Sequence, residues 1–402
     1  MATVLYAWEL GGGLGHVAAA VPLLQRLRKK GHEIHVAMPD QRPAREFVKP
    51  HNFHLRLAPS IRVATTVASP QVSYAEVLLC AGFYDANILY ANVKKWLEMF
   101  HAVRPELIIF DHAPTALLAA RLYPACTATF GPGFFRPPSV TPLPHFYADP
   151  HDLEGRMYRS EKRALLASNQ VLQKGKGRRL HSLQALLDVD KDFLCTFREL
   201  DHYERSKEQR YMGPIFSADA GSEVTWPPGG RFKIFVYLKT DAPVSAEIVD
   251  ALCRSDLACF VYAQGETSLD GDISTNVRVT RNPVALRSAI RDADMVVCHA
   301  GHGVVAATLL AGKPLVLVPL TTDQFIVTRN VENIGAGVGY APGFRPESPF
   351  ALVLATALED TSLRKAALGF QAGHRDFDSD AQLNVIAKEC DELVKAARVS
   401  TT

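Results

Sequence analysis

The first 38 residues contain the pattern that most constrains the fold of this chain. Residues 4–8 form an apolar run typical of a buried strand, and from Val17 apolar residues recur at three- and four-residue spacing, which predicts a helix face. Gly31 ends the helical pattern, and residues 34–38 have the character of a second strand. Strand, helix and strand in this order predict a β-α-β unit with parallel strands and a right-handed crossover.

The same alternation continues along the chain and is interrupted once. Further strands are predicted at residues 55–57, 107–110, 125–130, 232–238, 257–263, 277–280, 295–298 and 315–318. Helices are predicted at residues 86–100, 115–122, 284–291, 304–311 and 381–397. The interruption contains Gly213, Pro214 and the Pro/Gly-rich run 226–230, which is typical of a linker.

Two doubly wound α/β domains are therefore expected. The predicted boundaries are 1–213 for an N-terminal domain, 214–231 for the linker, 232–375 for a C-terminal domain and 376–402 for a helix that packs back across the domain boundary. A chain of 402 residues, 48% of them hydrophobic, is large enough for two cores. Because open α/β sheets bind ligands at the carboxyl ends of their strands, we expect function in a cleft between the domains.

Composition argues against several functional classes. Lys and Arg number 44 against 42 Asp and Glu, and the basic cluster at residues 174–179 is interpreted as a solvated loop, so nucleic acid is not an expected partner. The seven cysteines lack the spacing of a metal site and are expected to be reduced thiols. No apolar run approaches the roughly 20 residues of a transmembrane helix, and no targeting segment is recognisable, so a soluble cytoplasmic protein is expected.

Residues 299–324 form the most informative stretch, which predicts strand, glycine turn, helix, glycine-proline turn and strand. Gly301 and Gly303 let the backbone approach a ligand, and the N–H groups of the helix that begins near Val304 favour an anion such as a diphosphate. His299, at the strand end, is a candidate hydrogen-bond donor to the same anion. An ordinary structural turn is the alternative interpretation of this pattern.

This stretch resembles the donor-binding signature of glycosyltransferases with the GT-B fold, which include the UDP-glycosyltransferases and the bacterial macrolide and glycopeptide antibiotic glycosyltransferases. The matching positions are His299, Gly301, Gly312, Pro314, Pro319, Asp323 and Gln324. The resemblance implies two Rossmann-like domains that face each other across a cleft. It also implies that His299 and residues 301–304 bind a donor diphosphate, and that Asp323 and Gln324 bind sugar hydroxyls. Further candidate donor contacts are Gly13, Lys239, Pro283 and Val284.

Two positions depart from the family pattern and concern the nucleotide. Val304 stands where the family has a phosphate-binding Ser or Thr, and Ala307 stands where a Glu often binds both ribose hydroxyls of UDP. Some bacterial relatives that use dTDP-sugars also lack this Glu, because their nucleotide has no 2′-hydroxyl. The donor is therefore left open between a UDP-sugar and a dTDP-sugar.

A second stretch, residues 11–16, places four glycines and His16 between the first strand and the first helix. A histidine at a helix N-terminus is favoured as the neutral base, although capping or core packing is an alternative. The stretch resembles the family's G-H-[VI]-x-P turn, with Ala19 in place of the proline, and related transferases of cell-wall precursor and glycolipid synthesis. The resemblance implies that His16 removes the acceptor's proton and pairs with Asp111 at a strand end, where a helix cap is the alternative role.

Four aromatic residues are candidate walls for an apolar or aromatic acceptor, with plain packing as the alternative: Phe83, Tyr84, Phe134 and Phe135.

Together, the two glycine-containing stretches and the family resemblance predict an inverting, metal-independent glycosyltransferase that needs no cofactor besides its nucleotide-sugar co-substrate and acts on a small-molecule hydroxyl. The rival interpretations are a nucleotide-sugar hydrolase or epimerase, a non-catalytic nucleotide-sugar-binding protein and, more distantly, an NAD-dependent oxidoreductase. The oligomeric state is not defined by the sequence.

Overall fold

The computed structural model describes residues 1–12, 14–40, 42–59, 70–146, 154–216, 221–228, 230–240, 242–265, 271–341 and 348–400. The chain divides into two compact units. The N-terminal unit contains Met1–Phe197, His202–Phe216 and Asp378–Thr402, and the C-terminal unit contains Arg198–Asp201 and Ser217–Phe377. The last segment of the chain therefore belongs to the first unit.

The elements up to the linker are β1 (Thr3–Trp8), α1 (Gly15–Lys29), β2 (Glu33–Met38), α2 (Arg42–Val48), β3 (His54–Leu57), α3 (Tyr74–Leu78), α4 (Ala86–Val103), β4 (Leu107–Asp111), α5 (Pro114–Ala120), β5 (Cys126–Gly131), α6 (Glu154–Lys174) and β6 (Lys191–Leu194). Short 3-10 turns lie at Lys49–His51, Gln184–Leu187 and Arg198–Leu200, and a π turn lies at Leu79–Phe83.

The remaining elements are β7 (Lys233–Lys239), α7 (Val244–Cys253), β8 (Ala258–Gln264), β9 (Gly271–Ser274), β10 (Val277–Thr280), α8 (Leu286–Asp292), β11 (Met295–Cys298), α9 (His302–Leu310), β12 (Leu315–Leu317), α10 (Thr322–Ile334), β13 (Gly337–Gly339), α11 (Phe350–Glu359), α12 (Thr361–Gly373) and α13 (Ser379–Ser400).

The N-terminal sheet is parallel and has the strand order β3-β2-β1-β4-β5-β6. The chain runs from β1 outward to β2 and β3 and then returns to β4 on the other side of β1. Strands β1 and β4 therefore flank the topological switch point, the place where open α/β sheets bind ligands. Their register pairs Trp8 with Asp111, so both strands end at the same edge.

One face of this sheet is covered by α1 and α13. Tyr6 and Trp8 of β1 share a buried apolar cluster with Leu24 of α1 and Ile386 of α13. Because α1 is anchored on this core, its first turn is held at the carboxyl edge of the sheet, beside the switch point.

The C-terminal sheet has the order β13-β12-β11-β7-β8-β10-β9, and its switch point lies between β7 and β11. The ladders from β13 to β10 are parallel, whereas β9 pairs antiparallel with β10. A buried cluster that includes Val236, Val297 and Val316 forms its core.

The doubly wound α/β class predicted from the sequence is confirmed, and β10 and β11 have the predicted bounds. Strands β6, β9 and β13 are not predicted by the sequence pattern, because each has only three or four residues and lacks a sustained apolar run. No helix in the described part of the chain combines the length and apolar character that a membrane span requires.

Candidate functional site

His16 and Asp111 meet at the switch point of the N-terminal sheet. His16 is in the first turn of α1 and Asp111 is the last residue of β4. The Nδ1 atom of His16 lies 2.9 Å from each carboxylate oxygen of Asp111. The Asp111 side chain is 3% exposed and that of His16 is 21% exposed, so the carboxylate is buried while the imidazole retains access to solvent.

Tyr6 is hydrogen-bonded to the Asp111 carboxylate. Its hydroxyl donates a 2.5 Å hydrogen bond to Oδ2 of Asp111. Burial first, and then the negative charge of Asp111, raise the pKa of Tyr6 well above its ordinary value, so the hydroxyl remains a donor. The sequence analysis missed Tyr6; the available signal was that a tyrosine in a buried strand needs a hydrogen-bond partner for its hydroxyl.

The imidazole of His16 is also held on its other sides. The Trp8 ring stacks on it, with centroids 4.8 Å apart and an angle of 25° between the planes. Gly11 has φ of +91°, and a Cβ at this position would lie 2.6 Å from Nε2 of His16. A glycine is therefore required here by both the backbone conformation and the close approach of the ring.

Glu9 is a buried carboxyl next to this site that the sequence analysis also missed. It accepts hydrogen bonds from the Thr115 backbone N–H at 3.0 Å, the Thr115 hydroxyl at 2.5 Å and the Asn92 amide at 3.2 Å. Burial raises the pKa of Glu9 to about 7, while the hydrogen bonds from Thr115 act in the opposite direction. This carboxyl therefore changes its charge near neutral pH.

The four aromatic acceptor candidates differ in exposure. Phe83 is completely buried and Phe135 is 3% exposed, so their rings offer almost no surface to an acceptor. Tyr84 and Phe134 are half-buried. The guanidinium of Arg163 lies 5.5 Å from the Tyr84 ring centroid. Two of the four residues are thus core residues in this structure, and two remain candidates for an acceptor wall.

His299 lies at the switch point of the C-terminal sheet, directly after β11. Its Nε2 accepts a 2.9 Å hydrogen bond from the Lys239 backbone N–H, and its Nδ1 lies 2.8 Å from the Val318 carbonyl oxygen, to which it donates. The ring therefore ties together the ends of β7, β11 and β12. Both ring nitrogens are therefore hydrogen-bonded to the backbone. Donation from His299 to a diphosphate remains a prediction, and it requires that one of these two hydrogen bonds breaks.

Helix α9 begins three residues after His299, at His302. Gly301 is the N-cap residue with an extended conformation and, as a glycine, has no side chain that could cap the helix. A Cβ at Gly301 or Gly303 would meet no atom within 4 Å, so there is open space beside both residues. Backbone N–H groups at a helix N-terminus favour an anion, and here a ligand has room to reach them.

The other predicted donor contacts lie in the same unit. Asp323 Oδ1 accepts a 2.6 Å hydrogen bond from the Thr321 hydroxyl, and Gln324 Oε1 accepts a 2.7 Å hydrogen bond from the Leu320 N–H, so both side chains brace the start of α10. Val304, like Ala307, is 8% exposed.

Pro283 and Val284 lie beside the linker. The Pro283 carbonyl accepts a 3.0 Å hydrogen bond from Ser222, and Val284 is 8% exposed. Gly13 lies outside the described residues. The donor-binding roles of these residues remain predictions.

Comparisons with known proteins show which class of enzyme the chain is similar to. Residues 262–361 match the family described as Glycosyltransferase family 28 C-terminal domain. The chain is 25% identical over 344 residues to the PGL/p-HBAD biosynthesis rhamnosyltransferase of Mycobacterium bovis (strain BCG / Pasteur 1173P2), which is 81% of this chain and 74% of the relative. It is 32% identical over 99 residues to the sterol 3-beta-glucosyltransferase of Saccharomyces cerevisiae (strain YJM789), which is 23% of this chain and 8% of the relative.

Solved structures share the fold over nearly the whole chain. The calicheamicin glycosyltransferase superposes with a TM-score of 0.69 at 19% identity and covers 98% of both chains. The spinosyn rhamnosyltransferase complexed with thymidine diphosphate has a TM-score of 0.67 at 16% identity and covers 96% of this chain and 100% of its own. The GT-B fold is thereby confirmed, and the family match and the curated relatives identify the chain as a glycosyltransferase.

Proposed function

We propose that the chain transfers a sugar from a nucleoside diphosphate sugar to a hydroxyl group of a small-molecule acceptor, with inversion at the anomeric carbon. The observation that carries this proposal is the pairing of His16 Nδ1 with both oxygens of Asp111 at 2.9 Å. The proposal assigns the acceptor to the N-terminal unit and the donor to the C-terminal unit.

His16 acts as the general base in this proposal. Its Nδ1 proton is held by the Asp111 carboxylate, so its Nε2 carries the basic lone pair and takes the proton of the acceptor hydroxyl. Asp111 stabilises the imidazolium that forms, as a carboxylate does in catalytic triads. The acceptor oxygen then forms a bond to the anomeric carbon while the bond from that carbon to the diphosphate oxygen breaks. A single displacement of this kind inverts the configuration.

The leaving nucleoside diphosphate needs compensation for its growing negative charge. The N–H groups in the first turn of α9 can supply it, because the open space beside Gly301 and Gly303 gives a diphosphate access to them. The proposed reaction uses this helix terminus for a task that a divalent ion performs in other transferases.

A dTDP-sugar is favoured over a UDP-sugar as the donor. Ala307 presents a methyl group where a carboxylate would be needed to bind both ribose hydroxyls, and the missing 2′-hydroxyl of dTDP removes that need. The spinosyn rhamnosyltransferase of similar fold is complexed with thymidine diphosphate, and the mycobacterial relative is a rhamnosyltransferase. Both support a deoxyhexose on a thymidine diphosphate carrier.

An apolar or aromatic acceptor is proposed from the half-buried rings of Tyr84 and Phe134. The Phe134 ring is surrounded by other aromatic rings, with Tyr74 at 6.2 Å and Phe146 at 5.3 Å between centroids. A flat apolar ligand that contacts such a cluster gains burial of its own surface and favourable ring contacts.

The test combines donor binding with turnover. Thermal unfolding is measured with UDP, dTDP, GDP and ADP, because a ligand that binds only the folded state raises the melting temperature. Product formation is then followed with the best nucleotide's sugar and a panel of phenolic and macrolide acceptors, for the unchanged protein, His16→Ala and His101→Ala. His101 is an exposed residue of α4 and serves as the control.

The expected result is a shift with dTDP in all three proteins and a loss of product of about 10² to 10⁴-fold in His16→Ala alone. Donor hydrolysis that proceeds equally fast without acceptor would support the hydrolase instead. Absence of a shift with every nucleotide would reject the donor assignment, and retained anomeric configuration in the product would reject the single displacement.

A further inference from the structure

Three side chains of types that bind transition metals converge on the edge of the N-terminal sheet. Glu33 and His35 belong to β2, and His54 is the first residue of β3. The register of the parallel ladder pairs His35 with His54, and Glu33 lies two residues before His35. Side chains two residues apart on a strand, and those of register partners, lie on the same face of a sheet, so all three share one face.

The ligand atoms are close together. Nε2 of His35 lies 2.9 Å from Oε1 of Glu33, and Nε2 of His54 lies 3.4 Å from the same oxygen. The two imidazole rings stack, with centroids 4.7 Å apart. One ligand atom from each residue lies within 4.8 Å of the others.

These distances approach those of a zinc coordination sphere. Zinc binds imidazole nitrogen at about 2.0–2.1 Å and carboxylate oxygen at about 2.0–2.2 Å, which separates tetrahedral ligands by roughly 3.3 Å. The side chain of His54 is 59% exposed and that of Glu33 is 40% exposed, so both can rotate by the small amount needed.

We propose that Glu33, His35 and His54 bind a divalent transition-metal ion of the zinc class, with water as the remaining ligand. Two histidines and one glutamate form a ligand set known from zinc sites, and imidazole suits zinc, cobalt, nickel and copper but not magnesium. The site begins at the first residue of β2, at the amino end of the strand, whereas His16 lies at the carboxyl edge. It therefore has no part in the proposed transfer reaction.

The bound ion would join the edge strand to the rest of the sheet. All four residues of β3 are exposed, so this strand has little apolar burial to hold it on β2. A metal bond to His54 from one side and to Glu33 and His35 from the other would hold the two strands in register. Binding only to the folded state raises its stability.

One neighbouring charge opposes the site. Arg56 lies two residues after His54 on the same face, and its positive charge also acts on His35. Replacement of Arg56 by a neutral residue should therefore tighten the binding of a cation, whereas replacement of a ligand residue should weaken it.

The experiment is a titration of the full-length, untagged and metal-stripped protein with Zn²⁺ and Co²⁺ by calorimetry, Co²⁺ absorption and thermal unfolding, with Mg²⁺ as a control ion. The unchanged protein should bind one Zn²⁺ at this site and show the absorption of imidazole-ligated Co²⁺. His54→Ala should weaken the affinity at least about tenfold, and Arg56→Gln should tighten it. His101→Ala, an exposed histidine of α4, should not change it.

Affinity and Co²⁺ absorption that do not change in His54→Ala would overturn the proposal, because the metal would then be held elsewhere. Failure of Zn²⁺ to bind at all would leave the three residues as an ordinary histidine-carboxylate hydrogen-bond cluster. Since His54 is on the surface, its replacement should not unfold the protein, and normal transferase activity of His54→Ala would separate this inference from the proposed reaction.

Discussion

The two switch points of this protein use a histidine in different ways. In the N-terminal unit, His16 pairs with the buried side chain of Asp111, and its second nitrogen lies beside the glycine loop. In the C-terminal unit, His299 is 5% exposed, and the backbones of Lys239 and Val318 contact both of its nitrogens. The same position in a doubly wound fold thus holds a histidine-carboxylate pair in one unit and a histidine bonded to the backbone in the other.

The difference follows from what surrounds each ring. The N-terminal ring is placed against a carboxylate that can balance a positive charge, so proton transfer is possible there. The C-terminal ring contacts the ends of neighbouring strands, and the groups proposed to bind a ligand are the N–H groups at the start of α9. Chemistry is expected from side chains in the first unit and from the backbone in the second.

Asp111→Asn should have the largest effect if this comparison is right. An asparagine can donate to Nδ1 and so favours the wrong tautomer of His16, and turnover should fall by about 10³ to 10⁴-fold with unchanged donor affinity. Initial rates and nucleotide titrations measure the two quantities. Asp192→Asn, which alters a carboxylate on β6 that is bonded to Thr129, is the control. A fall in turnover of less than about tenfold would mean that His16 does not depend on Asp111 to act as the base.

Glu9→Gln should flatten the pH dependence of stability. Because the folded-state pKa of Glu9 is raised from 4.5 to about 7, the folded protein binds the extra proton between these values. Its contribution to stability is fully present below pH 4.5 and is lost as the pH rises through 7, by about 3 kcal/mol in all.

Denaturant unfolding between pH 4.5 and 8 gives the free energy of unfolding at each pH. The effect is the difference between Glu9→Gln and the unchanged protein in the slope of this free energy against pH. Glu106→Gln should leave the slope unchanged over this range, because the hydrogen bond from Arg398 lowers the pKa of Glu106 from its ordinary value of 4.5. Its contribution is present above the unfolded pKa and is lost as the pH falls through the folded one. An unchanged slope in Glu9→Gln would mean that this carboxyl is already charged in the folded protein.

Gly11→Ala tests how closely the glycine loop must approach His16. The added Cβ would lie 2.6 Å from Nε2, which must then move, and misplacement of a catalytic group by about 1 Å costs about 10²-fold in rate. Gly31→Ala is a matched control, since Gly31 has φ of +89° but open space around its Cβ position. Equal losses of turnover in both variants would assign the effect to backbone strain rather than to the histidine.

Gly303→Val should have the smallest effect, and this effect should be limited to donor binding. The new side chain would enter the open space beside the first turn of α9 and block one N–H, which should raise the donor KM about tenfold and leave the fold intact. Gly369→Val, at an equally open position in α12, controls for valine in a helix. If KM is unchanged, the donor diphosphate does not bind at this helix terminus.

The features that the sequence predicts are those formed by local patterns. The β-α-β unit, the glycine loop before His16 and the glycine turn before α9 are each written within a few dozen consecutive residues, and periodicity or turn chemistry reveals them. Asp111 could be named because it ends an apolar run and because of the family resemblance. The roles of these residues in catalysis and donor binding remain predictions to be tested as above.

The sequence by itself therefore determined the fold class, the positions of most strands along the chain and the residue types at both switch points. Only the tertiary structure decided that the Tyr6 hydroxyl reaches Asp111, 105 positions away, that the ring of His299 contacts strand ends on both sides, and that Phe83 is buried. These contacts depend on which strands are neighbours and in what register. That arrangement is set by the packing of the whole sheet, which no short stretch of the chain encodes.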